Sequence, residues 1–458
     1  MQLAPPLLSL DGPSTSPKDW SSWRKTSSIC TLIVMTFALT ATSTSYSSSA
    51  RHIMSDLHMS QELFVLGISL FVLGFGVGPL IFGPLAQAFG KRPVYFFSYV
   101  LFTAFCFGCS EANNSASLLC CRFFAGSFGS TTLFLTPGSI NELVEPRHQN
   151  RVACFYAFAA FLGPSVGTCI SSFVDEGTSS WRWNLRVMAI FVGFTTLLCF
   201  FFVEETSYPT SLKTISWRRT IISPFVILFK DPVVFLTSFY LALLYGYMYA
   251  FFALFPLVFG EIRHFSPTSL GLIYLSLLVG GLEYYVKRKY LDKKLQPPPE
   301  ARLVQGLWAT FLPAFGLFIF AWTAPFPSVH WIGASVGMFV FLLGAYISFI
   351  CLIPYLVIYS GPQATAALTA VMVTRAAFAT GWPLVVRQMC DKMTVQGASS
   401  FLAGLTLLMV PLIWVLYLKG AQLRARKLDE TSGPNGPLRS AVENSEVASS
   451  ATVKEEAA

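Results

Sequence analysis

The sequence predicts an all-α membrane protein: twelve transmembrane helices in two pseudo-symmetric six-helix bundles. Three observations predict it. Of the 458 residues, 54% are hydrophobic and only 12% charged, against about 25% charged in an ordinary soluble domain. A soluble core cannot hide 43 phenylalanines behind so few charges, so lipid is the better solvent. Twelve apolar stretches approach the roughly 20 residues that a helix needs to cross a bilayer. Finally, lysines and arginines crowd into alternate loops, as short cytoplasmic loops require.

In chain order the stretches are 28–48, 62–83, 94–112, 116–137, 152–173, 184–203, 233–255, 267–286, 304–324, 330–352, 363–386 and 396–418, here spans 1 to 12. Span 1 is the weakest, because it ends in the Ser/Thr-rich "TATSTSYSSS". Spans 2 and 3 flank "GPLAQAFGKRP", where glycines allow a tight reversal and a basic pair stays out of the membrane. Span 4 carries an arginine, Arg122, and span 5 a proline, Pro164. Span 7 is aromatic, with Tyr245, Tyr249 and Phe252 at helical spacing on one face. Span 8 opens well, with Ser266 as N-cap and Pro267 at the first helical position. Span 10 holds Tyr346 and Ser348, and span 11 holds Arg375.

The organisation follows: residues 1–27 an N-terminal cytoplasmic segment, 28–203 one bundle, 204–232 a cytoplasmic linker, 233–418 a second bundle, and 419–458 a cytoplasmic tail, mostly disordered. Cations concentrate on one side: Lys18, Arg24 and Lys25, then Lys91 and Arg92, Arg147 and Arg151, the linker, the cluster Lys287–Arg302, and the run from Lys419 to Lys427. The other side holds only Arg51, Arg182, Arg186, Arg263, Arg387 and Lys392. Both termini are therefore expected in the cytoplasm, with the plasma membrane the expected location. The single sequon, Asn113-Asn114-Ser115, falls in a short outer loop, and Asn113 is its glycosylation candidate.

Several function classes are excluded. The net charge of +8 is scattered among apolar runs, which is no nucleic-acid footprint. The ten cysteines lie almost all in apolar runs and read as small hydrophobes. Cys106 and Cys109 form a CxxC without partner ligands, so no metal and no cofactor is expected. The five histidines are scattered and no Asp-rich cluster occurs, which argues against a membrane enzyme. No Walker-type loop for ATP is present.

The motifs point to a family. "GPLAQAFGKRPVY", "CRFFAGSFGS", "PGSINELVEPRHQNR", "FLGPSVGT", "EET" and "LFKDPVVFL" follow one another in an order and spacing that resemble the major facilitator superfamily, and more narrowly its fungal twelve-span drug:proton antiporter branch. The resemblance covers about residues 28–427. It implies a monomeric secondary transporter that exports small organic molecules such as drugs, toxins or secondary metabolites, by proton antiport and alternating access. A nutrient importer or uniporter of the same fold stays open, as does, further off, a multi-span enzyme or a transport-dead sensor.

Residue by residue, the resemblance implies a cytoplasmic gate of Gly83, Gly90, Lys91, Arg92, Glu142 and Arg151, with Gln87 standing where the family usually carries a carboxylate. It implies coupling or conformational roles for Arg122, Gly126, Gly163, Pro164, Gly167 and Arg375. A buried arginine inside a span is costly and must find partners; helix carbonyls are the structural alternative to a coupling role for Arg122. Gly126 reads equally as helix packing. Tyr245, Tyr249, Phe252 and Tyr346 offer an aromatic face with hydroxyl tips that suits flat organic molecules, or else helix packing. No Asp or Glu lies deep in spans 1, 5, 7, 10 or 11 as bounded above.

Overall fold

A computed structural model describes residues 17–178, 180–206, 217–255, 258–259, 262–263 and 303–432. Every element among the described residues is helical, as lipid demands of a chain that must satisfy its own backbone. Ten stretches there are long and apolar enough to cross a membrane. The last of them, Ala364–Gly420, has 57 residues. At about 1.5 Å per residue it is roughly 85 Å long, enough for two crossings. It breaks at Thr394 (φ 63°, ψ 164°), whose Oγ1 accepts from the N–H of Gly397; the break divides spans 11 and 12. The expected span 8 and its basic inner loop lie outside the described residues. The protein is thus a multi-pass integral membrane protein.

Span 1 runs Ser22–Ser45 and continues through a 3-10 turn, Tyr46–Ser49, into Ala50–Asp56. The Ser/Thr-rich end does not weaken it. Thr36, Thr40, Thr42, Ser43, Ser45 and Ser47 each donate a hydroxyl to a carbonyl one turn back, so polar side chains cross apolar surroundings satisfied. Span 2 runs Gln61–Phe89 through Pro79 and Pro84, six residues past its expected end. The turn to span 3, Lys91–Ser110, is the single residue Gly90 at φ 90°. Only glycine takes that backbone without strain.

Span 4 is Ser115–Gly129 followed by Thr131–Leu143, span 5 is Pro146–Thr178, and span 6 is Trp181–Phe202. Within the expected linker a helix forms at Trp217–Lys230, with Ile221, Ile222, Phe225, Val226 and Phe229 exposed; an apolar flank of that kind suits the membrane interface. Span 7 is Pro232–Phe255, span 9 is Val304–Ala309 plus Phe311–Thr323, and span 10 is Trp331–Ser360. The final helix, Val410–Ser432, carries order well beyond the expected boundary at 418.

Glycines set the closest approaches. A Cβ on Gly163 would lie 2.0 Å from Thr40 Oγ1 and one on Gly167 2.5 Å from the Ala41 carbonyl, so span 5 rests backbone to backbone on span 1. Gly126 does the same against Phe71 of span 2, where a Cβ would meet the carbonyl oxygen at 2.0 Å. Small residues permit this packing where no hydrophobic drive separates helix from lipid.

Candidate substrate and coupling site

Arg122 is 1% exposed, and all three of its guanidinium nitrogens are used. Nε donates to the Gly67 carbonyl at 3.2 Å, Nη1 to Thr42 at 3.3 Å and Nη2 to Ser43 at 2.8 Å. Tyr46 and Phe71 place their rings 4.6 and 4.4 Å from its charged carbon. The arginine therefore pins span 4 to spans 1 and 2. Carbonyls rather than a carboxylate stabilise the charge, which is the structural alternative named above.

Ser43 extends this set towards the second bundle. Its hydroxyl donates to the Thr40 carbonyl at 2.7 Å, so the hydrogen in its 3.1 Å contact with the Tyr249 hydroxyl comes from the tyrosine. The Tyr249 ring lies tilted against Tyr245, with centroids 5.1 Å apart, and against Phe252 at 5.9 Å. The three expected aromatics of span 7 do share one face, and all are buried. Arg375 of span 11 sits 4.1 Å from the Tyr245 ring and 4.6 Å from Phe349. Tyr346 donates to the Cys154 carbonyl at 3.1 Å and meets Phe161 edge-on at 5.7 Å, so span 10 touches span 5. The bundles also touch where Ser69 and Thr380 exchange hydroxyl-to-carbonyl bonds of 2.8 and 3.3 Å. Ser348 points elsewhere, bonded to Gly344 and Tyr240.

Pro164 lies inside the helix of span 5. Its carbonyl accepts from Thr168 and, across the interface with span 1, from Thr44. Span 5 is thus tied to span 1 at Pro164 as well as at Gly163 and Gly167.

Lys91 Nζ bonds Glu142 Oε2 at 2.6 Å, so the expected pair forms. Arg92 does not join it. Its Nη2 donates to the Phe200 carbonyl, while its backbone N–H and that of Lys91 donate to Glu205 at 3.0 and 2.9 Å. Glu205 thus caps the positive end of span 3. Gly83 lies inside span 2, beside Phe134, and Arg151 is exposed near the start of span 5. Asn113 is exposed in the turn between spans 3 and 4. Just before span 7, Asp231 accepts from Lys427 at 2.5 Å and from Tyr359 of span 10 at 3.2 Å, a further tie.

Two acids escaped the sequence reading. Glu205 lay hidden in "EET" because its target is a helix N-terminus rather than a side chain. Asp175 was left outside span 5, but the helix runs on to Thr178 and buries it to 3% exposure. Its Oδ2 lies 3.0 Å from His52 Nδ1, while its Oδ1 has no hydrogen-bond partner. Phe349, which completes the Arg375 surroundings, carried no signal beyond one aromatic among many.

Comparison with known proteins places this geometry. The family model described as Major Facilitator Superfamily matches residues 31–382. An efflux pump of Gibberella moniliformis, FUB11, is 33% identical over 440 residues, covering 88% of this chain and 74% of that protein. The multidrug transporter mdrA of Aspergillus fumigatus is 32% identical, covering 90% and 73%. Among solved structures, the proton:xylose symporter XylE superposes with a TM-score of 0.66 at 14% identity, over 87% of this chain and 96% of that one. The human organic anion transporter MFSD10 superposes at 0.63 with 15% identity, over 85% and 99%; at such identities the likeness is one of fold.

Proposed function

The chain belongs to the Major Facilitator Superfamily, and from that membership we propose that it is a secondary active transporter that exports small organic molecules such as drugs, toxins or secondary metabolites. The relatives named as efflux pumps and multidrug transporters support export, and a transporter rather than an enzyme is what both family and fold support. The halves, 28–203 and 233–418, rock about a shared centre, with 204–232 as their cytoplasmic linker and with both termini inside at the plasma membrane.

One observation carries the reading: the chain of contacts Arg122, Ser43, Tyr249, Tyr245, Arg375. It begins in one bundle and ends in the other, through the aromatic face that suits organic cargo. Cargo that enters between Tyr249 and Ser43 separates them, and the loss is transmitted to the arginine that holds spans 1, 2 and 4 together. Alternating access is this exchange of contacts between outer and inner halves. Export is coupled to inward proton flow, for which the buried Asp175 with its partner His52 is the described acid–base pair at the outer end of span 5.

The test is expression in a pump-deficient yeast, scored for resistance to a panel of organic toxins with and without a protonophore. Resistance that vanishes with the protonophore and in Arg122→Ala supports the proposal. No gain of resistance to any compound, with the protein present at the plasma membrane, defeats it.

A further inference from the structure

Arg122, Arg263 and Arg375 meet their surroundings in two different ways. Arg122 gives each of its three nitrogens a carbonyl oxygen. Arg263, beyond the end of span 7, donates to the carbonyls of Thr323, Ala324, Phe326 and Val329. These are structural arginines, saturated by backbone. Arg375 is 7% exposed and is not saturated. Its Nη1 reaches the weakly accepting Met372 Sδ at 3.7 Å and the Tyr245 side chain is a further, uncharged partner of the guanidinium, while its Nε–H, fully shielded from solvent, has no hydrogen-bond partner.

No carboxylate pairs with Arg375 among the described residues. The polar side chains that face its charge are Tyr245, Tyr156 and Tyr249. The rings of Tyr245 and Phe349 attract the cation but offer no lone pair to the Nε–H. A desolvated guanidinium with an idle donor is costly, and such cost persists where a ligand removes it. The guanidinium fork matches a carboxylate edge to edge. Around it Tyr245, Tyr249, Phe349, Tyr346 and Phe161 build an apolar wall. One cation among rings fits a singly charged anion; a phosphate dianion needs more positive charge than the site holds.

We propose that Arg375 is a cargo-binding residue and that the cargo is an organic monocarboxylate with a planar, apolar body. The inference rests on the transporter reading above and names the substrate class of the same site. The carboxylate takes the Nε–H and a terminal N–H of Arg375. The body lies against Tyr245 and Phe349, in place of the contact between those rings.

Equilibrium binding to the full-length protein in nanodiscs tests this without any gradient or direction of transport. The probes are matched acid and amide pairs: benzoate and benzamide, cinnamate and cinnamamide, indoleacetate and indoleacetamide. The expected result is at least one acid bound about tenfold or more tighter than its amide, about 1.4 kcal/mol. That preference disappears in Arg375→Gln and survives, weakened, in Arg375→Lys. Amides that bind as tightly as acids, no acid that binds, or a preference that survives Arg375→Gln would each overturn it. The wild-type comparison stands even if a variant folds poorly. Acid binding without export would sink only the transporter reading; export of neutral compounds alone would sink only this one.

Discussion

Tyr249 of span 7 gives its hydroxyl hydrogen to Ser43 of span 1 across 3.1 Å, and Ser43 in turn holds out its carbonyl to Arg122 at 2.8 Å. One residue thus meets the opposite bundle through its side chain and its own bundle's arginine through its backbone. If the pair acts as a unit in transport, Ser43→Ala and Tyr249→Phe each slow efflux by a similar factor, and the double variant is no slower than either single one. Efflux rates of the four proteins at equal expression decide this. Fully additive losses would separate the two residues.

Arg122→Ala removes the donor from three carbonyls at once. Each acceptor left dry costs about 1–3 kcal/mol. The variant should lose transport and also melt at a lower temperature, in contrast to a purely coupling arginine, whose loss would spare the melt. Fluorescence-monitored unfolding of the purified protein reads the difference. Arg122→Lys keeps the charge but not the fork, and should recover only part of the stability.

Gly90 and Gly83 separate two accounts of the inner turn. Gly90 has φ 90°, and a Cβ there would sit 2.3 Å from Glu205 Oε2. Gly90→Ala therefore strains the backbone by about 1–2 kcal/mol and displaces the carboxylate that caps span 3. Gly83→Ala meets only the Phe134 ring edge at 3.2 Å and should be close to silent. Melting temperature and efflux of both variants, with Glu205→Gln alongside, test this order of effects.

Glu111 provides a pH dependence with a definite sign. The Arg186 guanidinium beside it holds its carboxyl below the usual carboxylate range. A depressed folded value means that the contribution is present above the unfolded value and lost as pH falls through the folded one. Acid melts of wild type should therefore drop more steeply than those of Glu111→Gln below the ordinary carboxylate range. Parallel curves would remove the pair from the acid response.

Much of this was legible in the sequence, and the reasons for the rest are physical. The apolar runs give the spans, because bilayer thickness fixes their length. Arg122 stands out because an ion inside a span demands partners, although the partners proved to be carbonyls that no motif names. The shared face of Tyr245, Tyr249 and Phe252 follows from helical period alone. Hidden from one-dimensional reading were the caps and ends. A proline did not end span 2, since Pro84 removes one donor and the helix continues to Phe89. Thr394 reverses the chain without a glycine. Asp175 reads as a loop acid until the helix is seen to carry it under His52. The Ser/Thr run of span 1 reads as too polar because composition does not show that its hydroxyls are satisfied one turn back.

Asp175 is the residue on which proton coupling is staked. In reconstituted vesicles with the normally cytoplasmic face outward, an acid interior should drive uptake of cargo, and Asp175→Asn should reduce that gradient-driven component at least about tenfold while leaving gradient-free exchange of cargo intact. Uptake that ignores the imposed pH difference in the wild-type protein would contradict proton-coupled export outright.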